Sequence, residues 1–194
     1  MRSLNFLLAL WMLGFVPSGL MAQEGQKFPV LTGRSLVDKN VVLPKTGKVS
    51  LVALAYSPNS EDYLKAWRKP LFDLFIKAPG TDLFDFEPYD AQINFVVLLT
   101  GAKKVGAGKV FTKLEENVQD HWKEHILVVK GQSLADYEVL DLGKTKNERE
   151  KPYFFLMDAS GKIVYATSGA YTAAKQTELE NKLQALLGDN QFKD

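Results

Sequence analysis

Along the chain, continuous apolar runs alternate with stretches whose apolar residues recur every three or four positions. Val49 to Tyr56 is apolar almost throughout, the pattern of a central strand covered on both faces. Leu64, Trp67, Leu71 and Leu74 follow at helical spacing. Ser57 with Pro58 at the first helical position predicts the helix start, with Asn59 and Asp62 as an alternative cap. Pro70 predicts a kink or interruption, and Ala78-Pro79-Gly80 an end. Ile93 to Leu99 reads as a second buried strand. Gly101 to Gly108 reads as a flexible, lysine-bearing loop, Phe111 to Glu124 as a helix, and Ile126 to Val129 as a short third strand.

The flanking segments are less regular. Phe28 to Leu43 has strand-like pieces with turns at Thr32-Gly33 and Asp38-Lys39-Asn40. Leu134 to Leu142 fits a short helix or an extended arm. Tyr153 to Met157, the turn Asp158-Ala159-Ser160-Gly161, and Lys162 to Thr167 form a predicted hairpin. Thr172 caps a last helix with Leu179, Leu183, Leu186 and Leu187 on one face and Gly188 as its stop. Strand–helix alternation followed by a hairpin predicts a three-layer α/β/α fold.

Composition narrows the function classes. The 194 residues are 46% apolar and 24% charged, with net charge +1, and suffice for one globular domain. The balance of charge gives no pointer to nucleic acid. Arg2, the apolar stretch Leu4 to Val16, the break at Pro17-Ser18-Gly19 and the small Ala22 predict a signal peptide over residues 1–22. An uncleaved anchor over Leu4 to Ala22 is the competing reading. Cleavage leaves a single domain over 23–194, periplasmic or secreted, with no stable membrane insertion. The chain has no cysteine, so disulfides, thiolate metal sites and thiol nucleophiles are excluded.

Two longer stretches carry a family resemblance. "FPVLTGRSLVDKNVVLPKTGKVSLVALAY" and "KPYFFLMDASGKIVYATSG" resemble the TlpA-type and peroxiredoxin-like branches of the thioredoxin superfamily. The resemblance implies a central mixed sheet with an N-terminal β extension. It puts Ser57-Pro58-Asn59-Ser60 in the place of the Cys-x-x-Cys pair and Pro152 in the place of the cis-proline. "KVSLVALAYSPNSEDYLKAWRKPLFDLF" and "PYFFLMDASGKIVYATSGAYTAAKQTELENKL" further resemble the thioredoxin-like assembly chaperones of the mitochondrial ATP synthase. Ser50, Leu51, Val52, Trp67, Pro70, Asp158, Gly161, Ile163 and Gly169 match. Val164 and Tyr165 stand where that family's hairpin carries arginine and tryptophan.

The chemistry implied is binding and not catalysis. Thiol exchange needs a low-pKa thiolate at the helix start and a second sulfur, and serine supplies neither. Ser57, Pro58, Asn59, Ser60, Lys151 and Pro152 are the expected binding face. There the backbone beside the proline would pair with an extended polypeptide partner. No cofactor is expected. The rival reading is a metal-dependent hydrolase: His121, Glu124 and His125 fit H-x-x-E-H, although a strand begins directly after His125. Crossover geometry places these histidines at the sheet edge away from Ser57, which argues against a Ser–His pair. "GAKKVGAGKV" lacks phosphate-loop spacing, since Val110 follows Lys109. Asp82, Asp85, Glu87 and Asp90 lack calcium-loop spacing, and Phe84, Phe86 and Tyr89 beside them would pin a loop to the core or mark an interface.

Overall fold

The computed structural model describes residues 23–76, 89–131, 135–143 and 145–191. The predicted signal segment 1–22 and the acidic–aromatic run 81–88 lie outside the described residues. The strands are β1 (Leu31–Ser35), β2 (Asn40–Leu43), β3 (Ser50–Ala55), β4 (Gln92–Leu99), β5 (Ile126–Lys130), β6 (Tyr153–Met157) and β7 (Ile163–Ser168). The helices are α1 (Ser60–Phe75), α2 (Ala107–Asn117), α3 (Asp120–Lys123), α4 (Lys146–Arg149) and α5 (Ala173–Gln191). Two 3-10 turns span Gly101–Gly106 and Ala135–Leu140.

One seven-stranded sheet runs in the order β2-β1-β5-β4-β3-β6-β7. β3, β4 and β5 are parallel, and β6, β7 and the β1–β2 pair join antiparallel. This is the mixed thioredoxin-like sheet with an added N-terminal hairpin. All six residues of β3 and all five of β6 are buried, which is why these segments read as unbroken apolar runs.

Side-chain alternation splits the core in two. Leu51, Ala53, Ile93, Phe154 and Leu156 point to one face, where Trp67, Leu71 and Phe75 of α1 and Leu179 and Leu183 of α5 pack on them. α2 covers the same face farther along, through Ala107 against Leu99 and Val128. Val52, Leu54, Val96, Leu98, Leu127, Val129 and Phe155 point to the other face. They pack under Phe28 and under Tyr137, Leu140 and Leu142 of the 135–142 segment.

Several local expectations are corrected. α1 runs through Pro70 to Phe75 without interruption. The hydrogen bond that proline removes belongs to the carbonyl of exposed Ala66, where water can replace the lost donor. The lysine-bearing stretch is an ordered 3-10 turn leading directly into α2, so the helix begins at Ala107 and not at Phe111. It ends at Asn117, and α3 is a separate turn. α5 continues past Gly188 to Gln191.

The β6–β7 hairpin turns on Asp158. Its Oδ1 accepts from the Ser160 N–H at 2.8 Å, the Ser160 hydroxyl at 2.7 Å and the Lys162 N–H at 3.0 Å. Burial pushes this carboxyl up, but the three hydrogen bonds outweigh burial and hold it below the usual carboxylate range. Gly161 has φ +79°, and a Cβ there would sit 2.6 Å from Pro44 Cγ. Position 161 therefore requires glycine for conformation and for space.

Candidate functional site

The parallel strands put their C-terminal ends on one sheet edge, and the loops leaving that edge build the candidate site. Ser57 to Ser60 leave β3 as a turn that winds into α1. The Ser60 N–H donates to the Ser57 carbonyl at 3.1 Å and the Glu61 N–H to the Pro58 carbonyl at 3.1 Å. The Ser57 hydroxyl oxygen accepts from the Asn59 N–H at 3.3 Å. Ser57 thus caps the first turn, while the Asn59 side chain makes no capping bond.

Ser60 is fully buried, and its hydroxyl donates to the Glu150 carbonyl at 2.9 Å. That bond ties the start of α1 to the strand entry at Lys151-Pro152, so the six sequence-predicted residues converge. They do not all face outward. Ser60 and Pro152 are buried, Ser57 and Lys151 are half-buried, and Pro58 and Asn59 are exposed.

The Lys151–Pro152 bond is trans; the cis peptide bond among the described residues is Leu43–Pro44. α4 explains the approach to Pro152. Thr145 and Glu148 form a capping box, and the Lys151 N–H closes the turn on the Glu148 carbonyl at 3.1 Å. The Pro152 carbonyl accepts from the Gly169 N–H at 2.9 Å. The Lys151 donor and the Pro152 acceptor are therefore engaged internally. Strand pairing by an incoming peptide at Lys151, expected from the resemblance, lacks its main-chain donor.

A second surface, absent from the sequence reading, lies along α1. Asp62, Tyr63, Ala66, Ala170 and Tyr171 line an open pocket of about 250 Å³ between α1 and the β7–α5 loop. Beneath it lies Trp67, whose Nε1 donates to the Gly169 carbonyl at 3.1 Å. Its ring packs on Phe154 at 4.4 Å and edge-on to Tyr171 at 5.3 Å. The Tyr171 hydroxyl bonds Gln176 Oε1 at 2.6 Å. The pocket is a shallow, largely open depression, smaller than the roughly 300–1,000 Å³ of small-molecule sites. Only the i, i+3, i+4 spacing of Tyr63, Ala66 and Trp67 hinted at it, because Ala170 and Tyr171 come from the far end of the chain.

On the other flank, Lys103 Nζ donates to the Tyr56 carbonyl at 2.9 Å, so the Gly101–Gly106 turn reaches the end of β3. The Tyr56 hydroxyl bonds the Leu142 carbonyl. The Tyr153 hydroxyl donates to the Glu148 carbonyl at 3.1 Å. Burial first, then the nearby Glu148 and Asp141 charges, pushes Tyr153 up to about 12. Burial also raises Tyr56, so both phenols stay neutral at physiological pH.

The histidines belong to the opposite edge. His125 Nδ1 lies 3.1 Å from the Ile93 carbonyl, at the N-terminal ends of β4 and β5. His121 packs its ring on Phe72 at 5.1 Å. His125 Nε2 is 3.5 Å from Glu124 Oε1. Among the described residues, no group of three or more His, Asp or Glu is placed to hold a metal ion. Ser57 has neither histidine at its edge of the sheet.

The fold is shared with solved proteins at low identity. A thiol peroxidase from Chromobacterium violaceum superposes with a TM-score of 0.51 at 13% identity, covering 87% of this chain and 88% of that one. The exposed lipoprotein thioredoxin of Streptococcus pneumoniae gives 0.50 at 14%, covering 81% and 99%. BsSco, a member of the Sco family of cytochrome c oxidase assembly proteins, gives 0.50 at 13%, covering 84% and 94%. These likenesses show a thioredoxin-like fold. No curated protein matches the sequence. The family described as ATP10 protein matches residues 17–186.

Proposed function

The chain belongs to the ATP10 protein family, and from that premise we propose that it is an exported, non-redox assembly chaperone that holds an extended segment of a client polypeptide. One observation carries the reading. The sheet edge where a thioredoxin-like fold keeps its cysteines retains its architecture here, with Ser60 tied to Glu150 and Trp67 tied to Gly169, and a side-chain-sized pocket opens beside it. With no sulfur at Ser57 or Ser60, thiol–disulfide exchange has no nucleophile, and binding is what the edge can still do. Since the main-chain groups at Lys151 and Pro152 are engaged, the client is held chiefly through its side chains.

Export rests on the leader-like segment 1–22, and it assigns the protein to the periplasm or the extracellular space. Among the described residues, no helix is long and apolar enough to cross a membrane. N-terminal sequencing of protein from cell fractions tests this. A mature chain beginning at Gln23 agrees, and a retained Leu4–Ala22 segment overturns cleavage.

The binding reading is tested by light scattering from a chemically denatured model protein. The full chain suppresses aggregation. Ala66→Trp and Ala170→Trp, which fill the pocket from its two walls, remove that suppression without lowering the thermal midpoint. Undiminished suppression in both variants would refute the proposed face.

A further inference from the structure

Two lysines approach the segment that supplies one wall of the pocket. Lys175, in the first turn of α5, donates from Nζ to the carbonyls of Ser168 at 2.7 Å and Ala170 at 2.9 Å. The stem of Lys151 lies along Gly169, where a Cβ would be 3.5 Å from Lys151 Cδ. Both lysines therefore flank the Ser168–Ala170 segment, and Ala170 is a pocket wall. Both are half-buried.

Neither lysine forms a salt bridge with a carboxylate among the described residues. The pocket's own carboxylate is engaged elsewhere, since Asp62 Oδ1 bonds Lys65 Nζ at 2.7 Å. Burial, then the charge of Lys151, lowers the Lys175 ammonium below the ordinary lysine range. Partly desolvated like charges repel, and an anion between them relieves the repulsion.

We propose that the pocket and the lysine pair form one subsite for an acidic peptide. An apolar or aromatic side chain enters between Tyr63 and Tyr171, and an Asp or Glu carboxylate sits on Lys151 and Lys175. This deepens the polypeptide-binding reading and rests on it. In an extended segment, residues two apart point the same way, so the recognised pattern is aromatic-x-acidic in one chain direction or the other. The Tyr faces and the Ala66 and Ala170 walls supply the apolar contact, and the lysines supply a charge-assisted one.

The test uses fluorescence anisotropy with the full chain and labelled, N-capped, C-terminally amidated peptides. Their cores are Phe-Ala-Glu, Phe-Ala-Gln, Ala-Ala-Glu and Phe-Ala-Lys, together with the reversed Glu-Ala-Phe. In at least one direction the Glu peptide binds about tenfold tighter than its Gln analogue, the weight of one charge-assisted contact. The advantage shrinks as salt rises. Lys151→Glu erases the preference for Glu over Gln and improves the Lys peptide, and Lys175→Gln also weakens the preference. Equal binding of the Glu and Gln peptides by the unsubstituted chain would overturn the acidic subsite and leave the polypeptide reading standing. Binding seen only when the amide is replaced by a free C-terminal carboxylate would overturn it in favour of end recognition. If no peptide binds and denatured client is not held either, both readings fall together.

Discussion

Trp67→Phe isolates the bond that joins α1 to the loop lining the pocket. Trp67 is fully buried, and its indole N–H is the donor to the Gly169 carbonyl at 3.1 Å. Phenylalanine keeps an aromatic ring against Phe154 and Tyr171 but cannot donate. The Gly169 carbonyl, in a buried residue, then loses its partner, at about 1–3 kcal/mol. The smaller ring also leaves space that close-packed neighbours fill incompletely, adding about 1 kcal/mol. The expected loss is therefore about 2–4 kcal/mol, a large share of a typical domain's stability. Urea unfolding followed by far-UV circular dichroism measures it, since removing the indole compromises fluorescence as a probe. The midpoint should fall with the slope unchanged. A loss below about 0.5 kcal/mol at unchanged slope, the range of surface substitutions, would show that the indole bond does not hold this edge together. The variant should also lose affinity for client, because Ala170 and Tyr171 follow the released carbonyl directly.

Other expectations follow from the same contacts. Gly161→Ala combines a positive φ of +79° with a contact of 2.6 Å to Pro44 Cγ, and should cost about 2–4 kcal/mol in denaturant unfolding. Asp158 titrates lower folded than unfolded, so its contribution is present above the unfolded value of about 3.8 and is lost as pH falls through the folded one. The stability gap between Asp158→Ala and the unsubstituted chain should accordingly narrow as pH falls from 6 towards 3. Tyr153 titrates near 12 folded against 10.0 unfolded, so its contribution is present below 10 and is lost as pH rises towards 12; Tyr153→Phe should flatten that alkaline loss. His121→Ala with His125→Ala should leave zinc content unchanged, while the thermal midpoint falls by a few degrees because the ring contact with Phe72 and the bond to the Ile93 carbonyl are lost.

Local chemistry along the chain determined the central strands, the hairpin and the caps at Ser57 and Thr172, but not the start of α2. β3, β4 and β6 announce themselves as apolar runs because both of their faces are covered. The hairpin is legible because Asp158 and Gly161 satisfy their own turn. The absence of cysteine leaves no thiol for exchange. Tertiary contacts decided the rest. Pro70 sits inside a continuous helix, and the carbonyl it leaves without an intrahelical donor belongs to exposed Ala66. Ser60 and Pro152 are buried, because Glu150 and Gly169 arrive from elsewhere in the chain to bond them. The pocket joins α1 to residues 170 and 171, about a hundred positions downstream. Strand order alone brings those segments together, and a one-dimensional pattern carries no information about which sheet edge they share.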